Sequence, residues 1–112
     1  MKTPLRTHEK LLRKGAANLQ RGIETVGGHL YLTNQRLVFE AHAVNFQSKP
    51  SEIELSDIRY TAKAWTRFLG MIPLFPNSLS VHTQQSDPFS FVLFGRKQWA
   101  VAIDQAMNGR LG

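Results

Sequence analysis

Three groups of residues in this chain have side chains suited to chemistry. Glu52, Glu54 and Asp57 bring three carboxylates close together in sequence, the kind of clustering that general acid and base catalysis employs. Such pairs act across a cleft. Here Glu52 and Glu54 alternate with Ile53 and Leu55, so on a strand the two acids project to one side and the apolar pair fills the other, which is the pattern of a solvated outer face. His8, His29, His42 and His82 are far apart in sequence and none has a ligand spacing such as H-x-x-x-H, although strands can bring His29, His42 and His82 together. Thr33-Asn34-Gln35-Arg36 is a polar kink between two apolar runs, with no general base or nucleophile beside it, and reads as a turn. Cys is absent, which excludes disulfides, thiolate catalysis and Cys-ligated metals. The reading is a non-enzyme with no metal and no cofactor.

The elements that must position these residues follow from hydrophobic periodicity. Leu30 and Leu32 share one face of a strand, and Leu37 and Phe39 share one face of the next. A loop of even length centred on Asn34-Gln35 sets Leu32 opposite Leu37 and Leu30 opposite Phe39, whereas an odd loop would turn one apolar row into water. The period of two recurs at Ile53/Leu55, at Leu79/Val81 and at Phe89/Phe91/Leu93, and Ile58 to Trp65 is a longer strand candidate. Turn signals separate these runs at Lys49-Pro50-Ser51, Ser56-Asp57, Pro76-Asn77 and Ser86-Asp87-Pro88. From Arg96 the period changes: Trp99, Ile103, Ala106 and Met107 form one helical stripe, with Gly109 suited to the C-terminal cap. Thr7 to Lys14 reads as a short basic helix stopped by Gly15, and Ala16 to Arg21 as a first strand. The whole is a mainly β domain of about seven antiparallel strands and one C-terminal helix whose stripe packs on the sheet.

At 112 residues the chain is one domain long. It has no signal-peptide core and no run of the roughly 20 apolar residues a spanning helix needs, so the expectation is a soluble cytoplasmic protein. The net charge is +6 and it is concentrated at one end. Lys2, Arg6, Lys10, Arg13, Lys14 and Arg21 outweigh Glu9 to leave +5 within residues 1–21, while the other 91 residues are nearly neutral at +1. A basic arm over residues 1–14 is drawn to phosphates on lipids or nucleic acid. The nearly neutral body, without aromatic and basic residues interleaved on one strand, ranks nucleic acid below a lipid or protein partner.

Phe68-Leu69-Gly70-Met71-Ile72-Pro73-Leu74-Phe75-Pro76 is apolar without a period, and its glycine and prolines argue against regular structure. It reads as a contact loop outside the barrel wall, with Lys63 and Arg67 beside it. The other reading is a lid over the barrel end, so that the same side chains serve the fold.

The run Gly27-Gly28-His29-Leu30-Tyr31-Leu32-Thr33-Asn34-Gln35-Arg36-Leu37-Val38-Phe39-Glu40 closely resembles the signature hairpin of GRAM domains, a Gly pair followed by G-x-L-Y-L-T-N-x-R-L-V-F. The order downstream matches too: I-E-L-x-D-I at Ile53 to Ile58, F-x-F at Phe89 to Phe91, and R-x-x-W at Arg96 to Trp99. The similarity spans roughly residues 15–107 and is closest to the small free-standing bacterial type. It implies a pleckstrin-homology-like bent barrel of seven strands capped by a helix, within residues 15–109. It also implies a non-catalytic module for an anionic lipid surface or a protein partner, able to make peripheral contact with the inner membrane face and to self-associate. Phosphoinositide-binding relatives carry several cations around the first hairpin loop; the corresponding stretch here, Gln20 to Val26, has only Arg21 against Glu24. The contact residues expected for this chain are therefore Lys10, Arg13, Lys14, Arg21, Lys63, Arg67, Phe68, Met71, Ile72 and Phe75.

Overall fold

The computed structural model describes residues 1–21, 24–42, 50–68, 72–84 and 86–111. Seven strands, β1 (Leu11–Arg21), β2 (Glu24–Thr33), β3 (Arg36–Ala41), β4 (Ser51–Glu54), β5 (Ile58–Phe68), β6 (Ile72–Thr83) and β7 (Phe89–Leu93), precede one helix, α1 (Arg96–Leu111). All pair antiparallel in one sheet of order β4-β3-β2-β1-β7-β6-β5. The two edge strands, β4 and β5, are consecutive in sequence and joined by a single 3-10 turn of three residues, Leu55–Asp57. Laid flat, the seven-strand sheet would hold its edges about 29 Å apart at about 4.8 Å per strand. A link this short reaches at most about 14 Å even when extended. The sheet must therefore curl until its edges approach, which produces the bent barrel.

The hairpin register is the one that alternation demands. Asn34 and Gln35 are the two turn residues, Leu32 pairs with Leu37, and Leu30 pairs with Phe39. These four join Leu19, Ile53, Leu79, Val81 and Phe91 in the core, and Trp99, Ile103 and Ala106 of α1 close it. Gly15 leaves space for that closure, because a Cβ there would already lie 3.4 Å from Trp99 Cζ2.

Three expectations are corrected. Thr7 to Lys14 is not a helix: β1 begins at Leu11, since β2 pairs with it along its length, and pairing overrides a weak local preference. Gly109 does not cap α1, which runs on to Leu111. Phe68 and Ile72–Pro76 do not form an irregular loop outside the wall. They belong to the β5–β6 ladder, which continues through Thr66↔Phe75 and Arg67↔Pro73 to Phe68↔Ile72. The register slips between Ala64 and Thr66 and again between Thr66 and Arg67, leaving extra residues on β6, and such bulges are where a strand tolerates proline. Met71 lies outside the described residues.

The Gly pair is structural at its second member. A Cβ on Gly28 would overlap the Glu40 carbonyl oxygen and lie 2.9 Å from Ala41 Cα, so both obstacles are backbone and cannot swing away. Nothing lies within 4 Å of a Cβ on Gly109. Gly28→Ala is expected to lower the melting temperature markedly, whereas Gly109→Ala should raise stability by about 0.5–1 kcal/mol through helix propensity. Thermal denaturation of the two variants checks the contrast.

Candidate functional site

The turn Thr33-Asn34-Gln35-Arg36 does more than reverse the chain, because each of its side chains reaches back to residues 4–10. Thr33 Oγ1 donates to Glu9 Oε2 at 2.6 Å and accepts from the backbone N–H groups of Gln35 and Arg36, both at 3.0 Å. Asn34 accepts the Lys10 N–H at 2.7 Å and donates to the His8 carbonyl at 3.0 Å. Gln35 Nε2 donates to the Thr7 carbonyl at 2.9 Å. These bonds also hold His8 at φ 62, a left-handed conformation uncommon outside glycine.

Arg36 is the centre of the network. Its Nε and one terminal nitrogen donate to both Glu9 oxygens at 2.8 and 2.9 Å in a two-point pair. The same terminal nitrogen also meets the Pro4 carbonyl at 2.9 Å, and the other one meets Glu52. Both Arg36 and Glu9 are buried. Burial works to raise the Glu9 pKa, but the Arg36 guanidinium, the Thr33 hydroxyl and the Arg6 N–H outweigh it and hold the carboxylate at about 2. Glu9 in turn pushes Arg36 above its already high value. Two further acids anchor the same segment. Glu54 pairs with Arg6 at 2.7 Å, and Glu40 accepts from the Lys2 N–H, the Thr3 N–H and the Thr3 hydroxyl, bonds that hold it below its ordinary pKa against the opposing effect of burial. Residues 2–9 thus cross the outer face of β3 and β4. Val38, flanked on that face by Arg36 and Glu40, is fully buried as a result.

The carboxylates Glu52 and Glu54 are accordingly on the outer face, as alternation requires, but Glu54 holds Arg6 of the N-terminal segment and Glu52 meets Arg36. The histidines split into two places. His29 and His42 meet edge to face at 4.8 Å, while His82 on β6 stacks on Tyr60 of β5 at 4.3 Å. Among the described residues no group of three His, Asp or Glu side chains is placed to hold a metal ion. Ser80 Oγ lies 2.9 Å from His82 Nε2, a nucleophile and base by type. The same hydroxyl contacts the Ala62 carbonyl at 3.3 Å, and no carboxylate among the described residues orients the imidazole, so the pair lacks the third member that activates a serine.

The first half of β1 carries a different chemistry. It extends beyond β7, whose last pair is Ala17↔Leu93, to where the chain turns into α1. Lys10, Arg13 and Lys14 lie along this stretch, and Lys97 of the first turn of α1 shares a groove with Arg13. Among the described residues none of these four pairs with a carboxylate. Arg13 is half-buried with its guanidinium 5.1 Å over the Trp99 ring, and its Nε is buried without a hydrogen-bond partner. At the junction itself Phe94 is 94 % exposed, followed by Gly95 at φ 69. Of the remaining expected contacts, Lys63 is exposed on β5, while Arg21, Arg67, Phe68, Ile72 and Phe75 are placed by strand register alone. Phe94 and Lys97 were not singled out from the sequence. A signal existed: Phe94 breaks the Phe89/Phe91/Leu93 alternation and so falls on the side away from the core.

The depressed Glu9 pKa has a direct consequence for stability. A carboxylate lowered from 4.5 to about 2 contributes stability that is complete above the unfolded pKa and is lost as pH falls from about 4.5 toward 2. That is on the order of 3 kcal/mol at neutral pH. Glu9→Gln, which leaves Arg36 buried with only Glu52 as a charged partner, is expected to melt lower at pH 7 and to lose less further stability on acidification. Thermal melts of both proteins from pH 7 to pH 2 test this, and parallel curves would contradict it.

Comparison with known proteins agrees with this architecture. The sequence profile described as "GRAM domain" matches residues 1–110. The C-terminal domain of an unknown protein from Leishmania infantum superposes with a TM-score of 0.73 at 20 % identity, over 90 % of this chain and 86 % of that one. The N-terminal PH domain of Vps36 gives 0.71 at 20 % identity, over 96 % and 86 %. The DH/PH domains of PDZ-RhoGEF, solved in complex with GTP-gamma-S activated RhoA, give 0.68 at 12 % identity, over 93 % of this chain and 31 % of that one. No curated protein shows significant sequence similarity to the chain. The hairpin signature, the seven-strand sheet with its C-terminal helix and the profile match lead to one assignment: the chain belongs to the GRAM domain family.

Proposed function

We propose that this domain is a non-catalytic peripheral binding module that docks on anionic lipid surfaces through the junction of β1, β7 and α1. The observation that carries the reading is Phe94, 94 % exposed where β7 turns into α1, at the junction where the Arg13 guanidinium approaches Gly95 and shares a groove with Lys97, cations that have no carboxylate partner among the described residues. An isolated exposed apolar residue is ordinary. An exposed aromatic ring at the same junction as unpaired cations has the composition of a surface that enters the headgroup region, apolar tip inward and charges against phosphate. The segregation of charge supports it. Four of the eight acidic residues, Glu9, Glu40, Glu52 and Glu54, are engaged with residues 2–9 or Arg36, so among the described residues Arg13 and Lys14 have no carboxylate paired with them. Among the described residues no helix is long and apolar enough to cross a membrane.

The basic segment is not a free arm, since residues 2–9 are bonded to the sheet and Lys10 onward enters β1. Its charge is therefore tested by point substitution rather than by deletion, which would remove Glu9. Each cation near an anionic bilayer contributes about 1 kcal/mol. Lys14→Gln with Lys97→Gln is thus expected to weaken binding to phosphatidylserine-containing vesicles on the order of thirtyfold. Phe94→Ser should weaken it without a change in melting temperature. Co-sedimentation at low and physiological salt, with neutral phosphatidylcholine vesicles and a DNA gel shift in parallel, checks the reading. Equal binding to neutral vesicles would refute it, and DNA binding that the same substitutions abolish would favour nucleic acid instead.

A further inference from the structure

We propose that the free edge of β5, together with the groove between it and α1, is a docking site for an extended peptide segment of a partner protein that carries apolar side chains flanked by acidic ones. This goes beyond the lipid-facing role and uses a different part of the domain.

The first observation is topological. β5 is an eleven-residue strand at the end of the sheet, hydrogen-bonded to β6 alone. Backbone groups of an antiparallel strand point alternately to its two sides, so half of those on β5 face away from β6. Among the described residues no backbone bond from another element reaches β5 on that side. A row of unused N–H and C=O groups at strand spacing accepts one kind of partner well, namely another strand.

The second is the groove. Between the start of β5 and α1 there is a cleft of ≈ 340 Å³, with Arg59, Tyr60 and Thr61 on the strand side and Ala100, Val101 and Met107 among the residues on the helix side. Tyr60 is 53 % and Val101 49 % exposed. A strand added to β5 sends alternate side chains to opposite faces, so those on one face beside Arg59–Thr61 enter this cleft. The other β edge, β4, is only four residues long and pairs with β3 alone.

Charge selects the occupant. Arg59 and Lys63 are exposed on β5 and, among the described residues, pair with no carboxylate. Two copies of this chain joined antiparallel about Thr61 would bring Arg59 of each against Lys63 of the other, and like charges opposite one another destabilise a pair. The edge thus disfavours that pairing with a second copy and favours a segment with acids at those positions. Asp104 on the helix wall opposes an acid inside the cleft itself, so the side chains entering it are apolar and the acids flank them.

The test uses the intact protein, isotopically labelled, and a soluble peptide of alternating valine and glutamate. Addition of the peptide should slow amide hydrogen exchange along β5 and shift the Arg59–Ala62 resonances. A version with lysine for glutamate should bind about tenfold more weakly or worse. A version N-methylated at every second amide should not bind. Reversal of Arg59 and Lys63 to Glu should exchange the preference between the acidic and basic peptides. The proposal is overturned if the acidic peptide leaves β5 exchange unaltered and a panned library of random linear peptides yields no sequence that protects it. Equal binding of acidic and basic peptides overturns it as well. So does β5 protection that rises with protein concentration alone, because the occupant would then be a second copy.

Discussion

The buried pair between Glu9 and Arg36 is the constraint on which the rest of this domain is arranged. A guanidinium and a carboxylate taken out of water lose several kcal/mol of hydration each, and their attraction repays this only when the remaining donors and acceptors are also used. Here they are. Arg36 spends its donors on Glu9, Glu52 and the Pro4 carbonyl, and Glu9 takes the Thr33 hydroxyl and the Arg6 N–H besides the guanidinium. Because each donor direction is fixed by the planar guanidinium, the network admits one placement of residues 4–9 on the sheet. Its effect is specificity of position more than gross stability.

That placement determines what is left for binding. The acids of β3 and β4 are taken up by residues 2–9 and Arg36, so much of the outer face of that half of the sheet is occupied. Arg13 and Lys14 of β1 lie where the strand projects past β7, and neither pairs with those acids. A chain with modest net charge thereby acquires a surface on which positive charge is concentrated, and attraction to phosphate depends on such local concentration more than on the total. Arg13 shows the limit of the effect: it lies over Trp99, so part of its charge serves the seam between α1 and β1.

The curled sheet has a second consequence. Because β4 and β5 are linked by one 3-10 turn, the barrel bends toward closure there without the two edges pairing, and α1 packs beside the turn and against β5 and β6. An unpaired strand beside a helix leaves a cleft with a polar floor and apolar walls. Structures at 12–20 % identity share the fold, so the fold depends on topology and apolar alternation more than on particular side chains.

Alternation of Leu30/Leu32 with Leu37/Phe39 determined the hairpin register, because a slip of one residue would expose a whole apolar row, and the stripe from Trp99 to Met107 determined the single helix for the same reason. The hairpin signature was enough to name the family. What alternation cannot carry is any preference settled by a distant partner. Residues 11–14 form a strand only because β2 is there to pair with them, and residues 72–76 form one because β5 pairs with them across two register slips. The turn at Asn34-Gln35 looked inert for the same reason: Thr33, Asn34, Gln35 and Arg36 have their partners at residues 4–10, more than 20 positions away, and only the folded chain brings the two segments within hydrogen-bond distance. Total charge was legible in the sequence, but which cations would be neutralised depended on which acids came within reach of them, and that is a property of the tertiary structure alone.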